Sequence, residues 1–189
     1  MGRVTVSTTD GLTRSEAVSK RSEAVSKAGI GWGAMYWQYY QDLDKVTGQS
    51  GPLKITKKLF VEKMSPAGKT IVPIEQSVLT KGDKVITRLV ITTDRNLEFV
   101  ALKDLRAACF EPVNQLSECK WKEGVCYYQT IKDASTQFFF SYLPKGTYVF
   151  EYEVWVNSTG NYTSGIASLQ CQYAPEFVSH TGGERIEIK

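Results

Sequence analysis

The chain is poor in the groups on which most enzyme chemistry rests. Among 189 residues there is one histidine, His180. It stands in Ser-His-Thr-Gly-Gly, a loop-like composition, and is expected to face solvent. A nucleophilic dyad or triad needs a base beside its nucleophile, and the chain offers no such pair. There is no Cys-x-x-Cys, and a single histidine makes a zinc site weak. Asp94, Asp104 and Asp133 fall near turns without the clustered spacing of a calcium loop. Glu151 and Glu153 are expected on the solvated face of a strand. The glycines at 29, 31 and 33 lead into Ala-Met-Tyr-Trp-Gln-Tyr-Tyr rather than a helix start, so they are structural and not a phosphate loop. No cofactor, no metal and no enzyme activity are expected.

Other absences narrow the partners. Lys and Arg (23) are scattered among Asp and Glu (20), giving a net charge of +3 without a basic block. A nucleic acid partner is therefore not expected. No apolar run reaches transmembrane length, so no direct membrane insertion is expected. The opening MGRVTVSTTD has no hydrophobic signal-peptide core. In a piece cut from a longer precursor that lack decides nothing about compartment.

What the chain does have is strand-forming sequence. The apolar fraction is 42% and the aromatic fraction 12%, and the aromatics fall in strand-like runs. LKITKKLFVEK (53–63) alternates, with Leu53, Ile55, Leu59 and Val61 on one face and Lys54, Thr56, Lys58 and Glu62 on the other. KVITRLVITTD, LEFVALKD and ASTQFFFSYL read as further strands. In TYVFEYEVWV, Tyr148, Phe150, Tyr152, Val154 and Val156 share a face. NYTSGIASLQCQY is expected as one penultimate strand, and RIEIK as a short last one. Strands roughly every ten residues, separated by turn signals, predict an all-β, antiparallel immunoglobulin-like sandwich.

Four cysteines, Cys109, Cys119, Cys126 and Cys171, allow three disulfide pairings. Cys119 and Cys126 flank KWKEGV and could pair across a hairpin with Lys122 and Glu123 near its tip. Cys109 with Cys171 would then be the long-range link. Free buried thiols are an equal alternative.

Two segments stand out for other reasons. Residues 14–27 repeat RSEAVSK exactly, too briefly for a coiled coil, and are expected as a tail or linker within 1–28. The second segment is SLQCQYAPEFVSH (168–180). Pro175 cannot donate to a β-ladder, so Cys171–Ala174 is expected to be an edge or a strand exit.

Three stretches together resemble the C-terminal end of bacterial alpha-2-macroglobulin-like proteins. They are GWGAMYWQYYQDLDKV, GDKVITRLVITTDRNLEFVALKDLRAACFEPVNQL and FFFSYLPKGTYVFEYEVWVNSTGNYTSGIASLQCQYAPEF. The resemblance covers about residues 29–189. It is sharpest at Leu-Pro-x-Gly-Thr-Tyr (143–148) and Tyr-Ala-Pro-Glu (173–176). It implies that 51–189 is the last macroglobulin-type β-sandwich, that 29–50 holds strands from the preceding β-domain, and that residues 3–8 and 32–40 are additional N-terminal strands.

The resemblance also implies a role. Full-length members are large envelope proteins that trap proteases, many through a thioester made in a Cys-x-Glu-Gln motif. That motif is absent; its nearest approach, Cys109-Phe110-Glu111-Pro112, lacks the glutamine amide. The implied function is a non-catalytic terminal scaffold in the bacterial cell envelope. Its partners would be upstream domains of the same polypeptide, including a thioester-type domain, and proteases indirectly. A free-standing cell-surface binding module is the alternative. In thioester-bearing relatives the terminal domain helps shield the thioester. That interdomain contact is carried onto Tyr173, Ala174, Pro175 and Glu176, with Gln172 standing where many relatives have methionine.

Overall fold

The computed structural model describes residues 39–66 and 68–189. The RSEAVSK repeat, the strand expected at 3–8 and all but residues 39 and 40 of the one expected at 32–40 lie outside the described residues; residues 39 and 40 are not in a strand. Gln41–Lys189 forms one compact unit.

Alternation builds the first layer. In β1 (Leu53–Ser65) and β3 (Lys84–Thr93) alternate side chains turn inward, mostly apolar ones: Leu53, Ile55, Leu59 and Val61 in the first, Val85, Leu89 and Ile91 in the second. The same holds along β9 (Gly146–Val156), where Tyr148, Phe150, Tyr152, Val154 and Val156 are all buried. With β2 (Gly68–Pro73) and β5 (Phe110–Pro112) they form a five-stranded sheet in the order β2-β1-β3-β9-β5.

The second layer is a six-stranded sheet. It contains β4 (Leu97–Leu105), β6 (Glu118–Lys122), β7 (Val125–Ile131), β8 (Ser135–Leu143), β11 (Ala167–Cys171) and β12 (Val178–His180), ordered β12-β11-β4-β8-β7-β6. Every pair in both sheets is antiparallel. β10 (Gly160–Ser164) and β13 (Glu184–Ile188) make a separate two-stranded ladder. The chain is an all-β sandwich, as its alternation predicts.

The core lies between the layers. Tyr127, Phe138, Phe140 and Phe150 pack ring against ring, with centroids 5.0–5.9 Å apart. Burying each such side chain stabilises the fold by about 1.5–3 kcal/mol, and the tilted and edge-on contacts add to this.

Three sequence expectations are corrected. NYTSGIASLQCQY is not one strand. It breaks at Gly165, where an added Cβ would sit 2.3 Å from Leu105 Cβ and 2.7 Å from its carbonyl oxygen, so β10 and β11 part company into different ladders. His180 is not in a solvent-facing loop: it closes β12, half-buried, and its amide donates to the Gln49 carbonyl. Asp104 is not near a turn; it lies within β4 and is fully buried.

Candidate functional site

The strand exit at 171–177 is a hairpin turn. β11 stops at Cys171, and β12 returns beside it with Ser168 opposite His180 and Gln170 opposite Val178. The Phe177 amide donates to the Ala174 carbonyl at 2.9 Å, which closes a β-turn with Pro175 at its second position. Proline's fixed φ suits that place. The outer edge of the sheet is therefore β12, and β11 is internal.

Neighbouring loops fix this turn. The Gln172 amide donates to the Phe99 carbonyl at 2.9 Å, and the Cys171 thiol donates to the Glu98 carbonyl at 3.2 Å. The Arg95 guanidinium covers the Phe177 ring at 5.0 Å. Asn96, in the same loop as Arg95, accepts from the Lys145 amide through its side chain at 2.8 Å. The Tyr148 hydroxyl donates to the Pro144 carbonyl at 3.0 Å. The two sharpest motif steps, at 143–148 and 173–176, thus meet at one end of the sandwich, joined by the loop at 94–96.

At this end Tyr173 stands 80% exposed, edge-on to Phe99 at 5.1 Å and 86°. Phe99 is itself 48% exposed and holds a left-handed backbone, φ 53°. For an aromatic residue that conformation costs about 1–2 kcal/mol. The β4–β8 register shows why it arises: pairing runs Glu98 to Tyr142 and then Val100 to Phe140, passing over Phe99 and Ser141. Glu176, Pro175 and Gln172 are exposed around Tyr173, and Ala174 is half-buried. Strain retained at a surface aromatic points to use rather than to packing.

The bacterial alpha-2-macroglobulin MG10 domain model matches residues 53–176. The chain belongs to this family. The MG10 sandwich is also similar to that in Salmonella alpha-2-macroglobulin reacted with methylamine: 16% identity, TM-score 0.59, covering 76% of this chain and 10% of that one. Escherichia coli alpha-2-macroglobulin activated by porcine elastase gives 15% identity and a TM-score of 0.61, covering 76% and 14%. Native E. coli alpha-2-macroglobulin spanning domain MG7 to the C-terminus gives 13%, 0.58, 75% and 24%. These likenesses are of fold, and the chain spans about a tenth of the Salmonella protein's length. No curated protein matches the chain.

All four cysteines of the MG10 domain stand as free thiols in this structure. Cys109 lies beside the Val156 end of β9, with its carbonyl accepting from the Asn157 amide. Cys171 pairs with Val100, near the opposite end, where Leu97 meets Leu143. The length of the sandwich separates them. Cys119 faces Tyr128 and Cys126 faces Trp121 across the β6–β7 hairpin, so the two thiols are diagonal rather than opposed. A diagonal pair exceeds the roughly 3.5–4.5 Å Cβ separation of a disulfide. Burial pushes the Cys109 thiol up to about 11. The hairpin tip is Glu123–Gly124, both at positive φ, as a two-residue turn requires.

Sequence reasoning missed one constellation in this domain. Lys57 occupies an inward position of β1, in register with Ile55 and Leu59. Its ammonium donates to Asp104 Oδ1 at 2.6 Å and to the Leu105 and Gly165 carbonyls, each at 3.0 Å. The Tyr152 hydroxyl donates to Asp104 Oδ2 at 2.6 Å. Lys57 and Tyr152 belong to the five-stranded sheet and Asp104 to the six-stranded one, so this cluster ties the layers together. Burial raises the Asp104 carboxyl above its ordinary range, against the pull of Lys57, Tyr152 and Arg106. Tyr152 is raised well above its own, by burial and then by Asp104. The signal was available: a lysine on the apolar face of an alternating strand needs a buried acceptor.

Among the described residues no group of His, Cys, Asp and Glu could hold a metal ion. Glu151 and Glu153 sit opposite Arg88 and Ile86 on β3; they pair with Arg88 at 2.5 Å and with Lys84 at 2.6 Å. What the strand exit presents is an exposed aromatic pair, Tyr173 and Phe99, rimmed by exposed Gln172 and Glu176.

Proposed function

We propose that this MG10 domain is a non-catalytic C-terminal scaffold of a bacterial alpha-2-macroglobulin-like protease trap in the cell envelope. Tyr173, with Ala174, Pro175, Glu176 and Gln172 around it, contacts an upstream domain of the same polypeptide, a thioester-type domain where the parent has one. Proteases are engaged through the whole polypeptide and not by this domain alone. In this frame 1–28 is a linker, 29–50 comes from the preceding β-domain, and 51–189 is the terminal sandwich. The observation that carries the reading is the exposed Tyr173–Phe99 edge contact, maintained at the cost of a left-handed Phe99. Gln172 in place of methionine makes the contact more polar at its margin.

The test is Tyr173→Ala in the full-length parent. The expected result is faster spontaneous loss of the thioester, followed as appearance of its free thiol. An unchanged rate contradicts the shielding role.

One observation favours a second reading, a free-standing binding module. The outer face of the six-stranded sheet carries exposed Trp121, Tyr128 and Phe139, with Tyr128 directly opposite Phe139. A gene encoding this domain without upstream macroglobulin domains would support that reading over the scaffold.

A further inference from the structure

The geometry points to a covalent amide between Lys57 Nζ and Asp104 Cγ, a self-made cross-link joining the two sheets of the sandwich. It is independent of the scaffold reading. Lys57 Nζ lies 2.6 Å from Asp104 Oδ1, which places it close to the roughly 3–3.5 Å near-attack separation from the carbon bearing that oxygen. Asp104 is fully buried and the Lys57 side chain is 8% exposed. In so dry a setting burial penalises the charged carboxylate of Asp104 and favours its protonated form. The raised Asp104 carboxyl agrees with this.

The step balances. Lys57 passes a proton to Asp104, and the free amine lone pair attacks Cγ. The Nζ–Cγ bond forms and the Cγ–Oδ2 bond breaks. Oδ2 leaves as water, carrying the acid proton and one amine proton. Tyr152, whose hydroxyl donates to Oδ2 at 2.6 Å, polarises the departing oxygen and is a positioning residue for it. Oδ1 stays as the amide carbonyl. The remaining amide N–H keeps an acceptor, since the Leu105 and Gly165 carbonyls both lie within 3.0 Å of Nζ. On the amine side, Lys57 lines an open cleft of about 400 Å³ with Ser164, Thr181 and Glu184. No oxidant or co-reactant is required.

The experiment is intact mass spectrometry of the 189-residue chain under denaturing conditions, with peptide mapping. The expected mass is one water below that of the sequence, with the peptides bearing Lys57 and Asp104 joined. Lys57→Arg, which keeps the charge but cannot form the same amide, is expected at full mass; the denatured measurement serves even if the variant folds poorly. Tyr152→Phe is expected to lower the joined share. Wild-type chain at full mass after incubation at neutral pH overturns the proposal and leaves a plain ion pair. So does a water lost at any other site, or a Lys57→Arg chain that is equally light.

Discussion

Two regions of this domain invert the usual placement of side chains. The Lys57–Asp104–Tyr152 cluster puts charge inside, and the Phe99–Tyr173 pair puts aromatic surface outside. The first inversion is answered within the molecule: all three Lys57 donors and both Asp104 oxygens have partners. The second is not, since among the described residues the ring of Tyr173 meets only the edge of Phe99 and stands 80% exposed. A satisfied buried group serves the fold. An exposed aromatic beside a strained neighbour has no such answer within the described residues, and the proposed contact supplies one.

The contrast is most easily broken at Asp104. Asp104→Ala removes the carboxyl that holds Lys57, as ion pair or as amide, and removing one partner of a buried pair costs about 3–5 kcal/mol. Urea unfolding should report that loss; a change under about 1 kcal/mol would mean the cluster does not tie the sheets. Replacing both, as Lys57→Met with Asp104→Leu, should cost less than Asp104→Ala alone. Next in size is Gly165→Ala, which drives a methyl into Leu105 and should destabilise by about 1–3 kcal/mol by the same measurement.

Much of this fold was legible because alternation is a local signal. Tyr148 through Val156 could be assigned inward from spacing alone, and so could Leu53, Ile55, Leu59 and Val61. What escaped depended on distant chain. Nothing near Gly165 announces that Leu105 presses against it, so one long strand was expected where two exist. Lys57 sits at an inward position in a run of polar neighbours, and its partner lies 47 residues away. The cysteine pairings could not be chosen from sequence, because spacing gives separation along the chain but not which residues face each other. The strand exit was legible in part: Pro175 signalled a stop, but only the loop at 94–96 shows that it and the 143–148 step share one end.

Thiol labelling sharpens the comparison at intermediate cost. Cys119 and Cys126 are exposed and Cys109 and Cys171 buried. The native domain at pH 8 should show two rapidly alkylated thiols, and four once denatured. With its thiol pushed up to about 11, Cys109 stays protonated there and should react last. No reactive thiol in the unreduced, denatured protein would restore the disulfides. The smallest expected effect is at the surface: Tyr173→Ala should change the stability of the isolated chain by no more than about 0.5 kcal/mol. A larger loss would make Tyr173 part of the fold rather than a contact.

The scaffold account rests on what Tyr173 touches in the full-length polypeptide. A photo-crosslinking phenylalanine analogue at position 173, irradiated in the intact parent and mapped by peptide mass spectrometry, reads this directly. The account predicts cross-links to an upstream domain of the same chain. Irradiation that yields no intramolecular cross-link, or links only to other molecules, would contradict it.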